Sequence, residues 1–372
     1  MQHRIIALTS AAIRAAGVAL GGVPIIVDSP TSVIPPTTTT ITTTTSRDVS
    51  TSAFLDRIAQ CRLVFFGEIH SVPSIVNLQS LALERMAAEA AKLEDPQDAQ
   101  TKSGTLHVIF EHFSFEMQEL LDAYSKDDSS CDAFDTLVQR YRAIGTEGHD
   151  LAPYAPLLAL SKRLPNVRLH AGFLPRTYAR MLMQTRDPAA TFQAARHWFE
   201  RNAASDTAER LPNASSIGGT LQTSAFHYKL FTSMITGRNV HDEPDDDDDI
   251  DRFRPLFQAQ LLKDVAMAHK VSSLMTTSSS PRDKFLVLTG NGHVAYYHGV
   301  PERVLQDHPD ASCLVVTSHV CDGTTSGDEQ QQQKTLQEYD ASQLVAKDLP
   351  PGTQPTDVVI VFAPPASPPR DL

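Results

Sequence analysis

The sequence predicts an α/β domain: a mostly parallel central sheet flanked by helices, with added helices and polar loop insertions. Three observations carry this. Short apolar runs of β-favouring residues alternate along the chain with stretches of helical spacing. The strand-like runs are continuously apolar, as in sheets covered on both faces. No internal repeat of solenoid length competes with that pattern.

In chain order, Leu63-Val64-Phe65-Phe66 is a short buried strand ended by Gly67. Residues 73–93 are rich in Ala, Leu and Glu, and Pro73 suits a first helical turn. Leu106 to Phe110 is a second strand. Helices are expected over 114–124, 131–143 and 152–164, then a strand from Val167 to Ala171. Residues 177–200, 222–236 and 253–275 read as helices. Strands follow at Phe285 to Thr289 and Leu314 to Thr317, with a helix near 301–308 between them. Val358 to Phe362 reads as an added edge strand.

The 372 residues are 41% apolar and 20% charged, enough for a sizeable core. One α/β domain, residues 51–362, accounts for the pattern. Residues 28–50 have the Pro/Ser/Thr composition of a linker, with the run Thr37 to Thr45. Residues 1–27 contain Arg4 and Arg14 and no acid, which fits an organellar transit peptide for mitochondrion or plastid. A secretory or membrane-anchoring segment is the alternative, and membrane association is expected only if that segment is retained. Two polar insertions are expected near 240–252 and 322–334, and 363–372 is a Pro-rich tail.

The net charge is −12, much of it from the block Asp242 to Asp249, so a nucleic-acid partner is not expected. The four cysteines, Cys61, Cys131, Cys313 and Cys321, show no C-x-x-C spacing and therefore no zinc ribbon or thioredoxin-type site. Cys313 and Cys321 could pair, but nothing requires it.

Chemistry-bearing residues gather at strand ends. The first strand leads to Gly67-Glu68-Ile69-His70, the second to Glu111-His112, and a later one to Gly290-Asn291-Gly292-His293. In a parallel sheet the carboxyl ends share one edge, where ligands bind. Glu68, His70, Glu111, His112 and His293 therefore converge if the strands are read correctly. Histidine offers a nitrogen that binds metal or takes a proton near neutral pH, and glutamate serves as ligand, orienter or base. Glu68, His70 and His293 could hold a divalent metal with an open position, with Glu68 or Glu111 as catalytic base. The bland alternative is that Glu111 and His112 simply open a helix. Further candidates for lining a cofactor pocket are Tyr296, Arg176, His227 and Tyr228, against ordinary packing or surface charge.

These residues sit in blocks that resemble the ChaN-like haem-binding uptake family of the Tiki superfamily. Leu63 to His70 resembles its opening strand-G-E-x-H. Phe110-Glu111-His112-Phe113 with Gln118 and Leu121-Asp122 is similar to its second block. Tyr154 to Leu160 and His170 to Arg176 are similar to its third. Phe257 to Ala268 matches an A-Q-x-x-x-D-x-x-M-A helix, and Gly290 to His293 with Gly299-Val300-Pro301 the closing block. The resemblance implies an α/β fold and haem, or a related iron tetrapyrrole, as the small-molecule ligand. It also implies a tyrosine as iron ligand and a homodimer that brings two haems together. The wider superfamily implies a second function, a metal-dependent hydrolase or protease built on paired Gly-x-x-His turns and a glutamate. A third is a non-catalytic scaffold. The N-terminal segment and the polar insertions depart from the bacterial pattern.

Overall fold

The computed structural model describes residues 25–28, 47–92, 103–127, 132–145, 147–202, 223–236, 252–320 and 357–362. The core is an eight-stranded sheet in the order β2-β1-β8-β7-β3-β6-β4-β5. Its strands are β1 (Ile25–Asp28), β2 (Arg47–Val49), β3 (Leu63–Glu68), β4 (Leu106–Ser114), β5 (Val167–Phe173), β6 (Lys284–Gly290), β7 (Cys313–Val320) and β8 (Val358–Phe362). From β8 to β5 every pairing is parallel, and β1 adds antiparallel contacts to β8 and β2.

Both faces of the sheet are covered, which is why its strands are apolar throughout. Val64, Phe66, Val108, Phe110, Leu286 and Leu288 face one core. They pack against α1 (Thr51–Gln60), α2 (Pro73–Ala90), α3 (Gln118–Lys126), α4 (Ala133–Ile144) and α5 (Ala155–Arg163) through residues such as Ile58, Leu83, Leu121, Leu137 and Leu158. Leu63, Phe65, Ile109, Phe285, Val287 and Val315 face the other. Beyond α6 (Arg176–Thr185), α7 (Pro188–Asn202) and α8 (Ala225–Thr236) in the chain come α9 (Arg254–Thr277) and α10 (Val300–Asp307). Met267 and Val271 of α9 and Val304 of α10 cover this second face. Among the described residues no helix is long and apolar enough to cross a membrane.

Several expectations change in detail. β4 does not stop at Phe110: it runs on to Ser114, with a register irregularity between Phe110 and Ser114, so Glu111 and His112 lie within a strand and open no helix. The stretch 177–200 is two helices, because Arg186 turns left-handed and Pro188 starts the next one. Val358 to Phe362 is no edge strand: β8 lies between β7 and β1. Ile25–Asp28 and Arg47–Val49, at the ends of the stretches read as leader and linker, are strands that extend the sheet. Apart from Ser50, the rest of those stretches, Cys131, Cys321, residues 240–251 and 322–334 of the two polar insertions, and the tail lie outside the described residues.

The chain path builds one crevice. From β3 it moves out to β4 and β5, returns to place β6 between β3 and β4, then crosses to β7 and β8 on the other side of β3. The carboxyl ends of β3, β6 and β4 are thus neighbours where the direction of winding reverses, the position where open α/β sheets take ligands. Close packing here depends on Gly67. A Cβ on Gly67 would lie 2.7 Å from Val294 Cγ2, 2.8 Å from Asn291 Oδ1 and 3.0 Å from the Val316 carbonyl oxygen. Gly67→Ala should therefore cost about 1–3 kcal/mol, as overpacking does, in chemical denaturation. An unchanged midpoint would show that the β3–β6–β7 edge is looser than described.

Candidate functional site

Glu68 is the last residue of β3 and is 2% exposed. A buried carboxylate must be paired or hydrogen-bonded, and this one is surrounded. His70 Nδ1 lies 2.8 Å from Oε1, and His112 Nε2 lies 3.1 Å from the same oxygen. Tyr154 donates its hydroxyl to Oε1, and Gln79 of α2 donates to Oε2 at 2.5 Å. Burial alone would raise the Glu68 pKa, but hydrogen bonds from His112, His70 and Tyr154 outweigh it and hold the value at about 2.

Glu111 is the second buried carboxylate. Its Oε2 accepts from Thr289 Oγ1 at 2.6 Å and from the Gly290 N–H at 2.5 Å. Its Oε1 faces two imidazoles, His70 Nε2 at 3.5 Å and His293 Nε2 at 3.7 Å. His293 is held from behind, Nδ1 lying 2.5 Å from Oδ1 of Asp264 on α9. Each Gly-x-x-His turn thus delivers an imidazole whose Nδ1 is fixed by one carboxylate while Nε2 looks toward Glu111. Burial opposes ionisation of Glu111, yet His293, His70 and Lys263 keep it well below the ordinary carboxylate range.

The glycine at the end of β6 makes the arrangement possible. Gly290 pairs with Glu68 across the sheet, and β6 separates β3 from β4. A Cβ there would sit 3.2 Å from His70 Nε2 and 3.5 Å from Glu111 Oε2, so it would press on the space through which they meet. Left-handed backbone follows both turns, at Ser71 (φ 65°) and at Tyr296 and Tyr297 (φ 54° and 63°). Such strain in non-glycine residues is concentrated at functional sites.

The expected residues divide into two groups. His70, His112, His293, Glu68 and Glu111 come together. Arg176 lies on the rim: it is exposed, and its guanidinium is 3.3 Å from where a Cβ of Gly148 would stand. Tyr296 and His227 belong to a neighbouring aromatic group around Phe226 and His298. Tyr228 packs on Phe257 and under Arg254. The expected metal set of Glu68, His70 and His293 is not what the geometry gathers. Glu68 is fully engaged in orienting its neighbours, and the donors that approach within 4.8 Å of one another are His70, His112 and His149.

Sequence reasoning missed His149, Tyr154, Gln79, Lys263 and Asp264 as members of the site. Tyr154, Lys263 and Asp264 lay inside the family-like blocks without a role. His149 had only the polar loop Glu147-Gly148-His149-Asp150 to mark it, and Gln79 had nothing local. His149 makes ring contact with both His70 and His112, at centroid distances of 4.9 and 4.8 Å. Lys263 lies over the Phe173 ring, 3.8 Å from Glu147 Oε2.

The two half-buried imidazoles are driven in opposite directions. Burial disfavours charge on His70, but Glu111 and Glu68 overcome it and raise its pKa from 6.5 to about 10. Burial and the neighbouring His112 push His149 down to about 3. Near neutral pH the site thus pairs a proton-loaded imidazole with a bare one, the separation that acid–base chemistry uses. The sign follows from linkage. Stabilisation from the His70 charge is complete below about 6.5 and is lost as pH rises through about 10. Burying His149 neutral costs stability as pH falls from 6.5 toward 3. A histidine NMR titration should find His70 still an imidazolium at about pH 8 and His149 still neutral at about pH 5. Titration of both near their ordinary value would contradict this electrostatic picture.

Residues 54–304 match the family model described as "Haem-binding uptake, Tiki superfamily, ChaN". No curated protein matches the sequence. Among solved structures, ChaN of Campylobacter jejuni, described with cofacial haem binding, is similar at a TM-score of 0.50 and 12% identity, covering 92% of this chain and 97% of that one. At that identity the likeness speaks for the fold. The type III effector HopBA1 (TM-score 0.34, 13% identity, 84% of this chain and 93% of that one) is more distant. So is a mutant erythromycin esterase EreC in its open conformation (0.37, 12%, 84% and 78%). At TM-scores this low, the latter two are no guide to fold or function. With five ordered sequence blocks, the parallel sheet and a family match over most of the domain, the chain belongs to the ChaN haem-binding uptake family of the Tiki superfamily.

Proposed function

We propose that the carboxyl edge of the sheet binds haem or a related iron tetrapyrrole. The observation that carries this reading is the half-exposed His70 at the rim of the site, in a chain of a haem-binding family. Haem needs an apolar surface, a nitrogen or oxygen donor to iron, and cations for its propionates. The residues present fit that list. Ile69 and Met234 are exposed large apolar side chains, Ile69 next to His70 and Met234 with its methyl carbon at Gly292. Arg176 and Lys263 supply positive charge on the side of Glu147 and His149. The hydroxyls of Tyr154 and Tyr297 are taken by Glu68 and Asp357, so neither matches the tyrosine ligand that the family implies. His70 is then the half-exposed donor, and its Nε2 must give up the proton it holds toward Glu111 before it can ligate.

A second reading, metal-dependent hydrolysis, rests on a different observation: His70, His112 and His149 present ring nitrogens within 4.8 Å of one another. Those three would hold a divalent ion, which when bound polarises a carbonyl or activates water. Glu68 would then orient His70 and His112 from behind, and Glu111 with His293 would hold or accept a proton at Oε1.

One set of measurements separates the two. Haemin titrated into the protein should give a saturable Soret shift at about one equivalent, weakened tenfold or more in His70→Ala. Metal analysis of protein purified without chelator should find little bound metal at the three-histidine group. No Soret shift, together with one equivalent of metal lost in His112→Ala and His149→Ala, would reverse the order of the two readings.

A further inference from the structure

Behind Asp264 and away from the Glu68–Glu111 centre lies a second group of ligand-type side chains. His227 stands on α8. His298 ends the turn that follows His293, and Glu302 is in the first turn of α10. An imidazole nitrogen from each histidine and a carboxylate oxygen of Glu302 lie within 4.8 Å of one another.

The hydrogen bonding of this group is lopsided. His227 Nδ1 is 2.8 Å from Thr223 Oγ1, and His298 Nδ1 is 3.2 Å from Glu302 Oε2. Both Nε2 atoms are buried and have no hydrogen-bond partner, in residues only 1% and 9% exposed. A buried polar atom without a partner costs about 1–3 kcal/mol. Two such atoms on neighbouring rings call for an occupant. The pattern is that of metal-binding histidines, whose far nitrogen is anchored so that the near one presents its lone pair.

The two rings are close neighbours: their centroids are 4.9 Å apart and their planes 10° from parallel. Glu302 Oε1 is occupied by Arg303 at 2.5 Å and by the Gly299 N–H at 3.3 Å. Its Oε2 is the atom that faces His298 Nδ1, so the carboxylate anchors that ring from behind and leaves Nε2 to present its lone pair. Glu302 is also the more exposed member, and so the side from which an ion enters.

We propose that His227 and His298, with Glu302 anchoring the His298 ring, form a second binding site, for a divalent transition-metal ion of the zinc type, separate from the centre at Glu68 and Glu111. Two imidazole nitrogens suit such an ion, whose remaining positions stay open to water or to a bound molecule. Bound there, it ties α8 to the first turn of α10. Because α8 also carries Met234 against Gly292, the ion fixes part of the wall of the primary site.

The test uses the full chain, stripped with chelator and titrated with Co2+ and then Zn2+. Co2+ is followed by its visible absorption, and Zn2+ by equilibrium dialysis. The wild type should take up one equivalent that a folded His227→Gln/His298→Gln double variant lacks. A His70→Ala/His112→Ala double variant should keep that equivalent. If the His227→Gln/His298→Gln protein does not fold, Glu302→Gln should weaken Zn2+ binding at least tenfold while leaving circular dichroism unchanged. Equal Co2+ and Zn2+ uptake by the wild type and the folded second-group variant, or no uptake by the wild type, overturns the proposal. Failure here says nothing for or against haem, which is read by the Soret band.

Discussion

Burying the Glu68 carboxylate at the end of β3 is the demand that the rest of the site answers. An unpaired buried charge costs several kcal/mol or more. Every route to satisfying this one recruits a different element. His70 comes from the turn after β3, His112 from β4, Gln79 from α2 and Tyr154 from the turn before α5. Because each partner arrives on a separate piece of chain, the carboxylate fixes where those pieces meet. It also loads His70 with positive charge, and that charge in turn offsets the second buried carboxylate, Glu111. The two carboxylates share the His70 imidazole, Glu68 at Nδ1 and Glu111 at Nε2.

The sheet order gives these groups their neighbourhood, and glycine gives them room. β6 enters between β3 and β4 late in the chain, so Glu68 and Glu111 flank a strand whose last residue has no side chain. Gly67 similarly lets Val294 and Asn291 close over the end of β3. The same β6 turn carries His293 to Asp264 and, a few residues on, His298 to Glu302. One strand-end turn therefore feeds both the primary centre and the buried pair of histidines behind it.

Much of this was legible in the sequence because it depends on local pattern. Apolar runs ended by Gly67-Glu68-Ile69-His70 and Gly290-Asn291-Gly292-His293 announce strands with polar ends, and the parallel-sheet rule brings those ends together. What escaped depends on contacts between distant segments. Gln79 is one polar residue in an amphipathic helix until α2 lies against β3. Asp264 is one acid in a long helix until α9 crosses behind His293. Glu111 and His112 read equally well as a helix start, since the pairing that carries β4 past Phe110 is made with β5, some sixty residues on. Val358 to Phe362 read as an edge because its outer neighbour, β1, lies near the other end of the chain, where Ile25-Ile26-Val27 falls within the apolar stretch read as a leader. The three-histidine group escaped for a similar reason: the spacing of the two Gly-x-x-His turns is visible, but the loop that brings His149 to His70 and His112 is not.

The central claim is that the ligand of this family member sits at the carboxyl edge, over His70. The most direct measurement is paramagnetic broadening of histidine side-chain NMR signals on adding haemin. The chain supplies its own control, because His107, near the start of β4, and His170, in the middle of β5, form a hydrogen-bonded pair short of the carboxyl edge. The account predicts that His70, His149 and His293 broaden first while His107 and His170 stay sharp. Broadening that is uniform, or that spares His70 and His293, would contradict it.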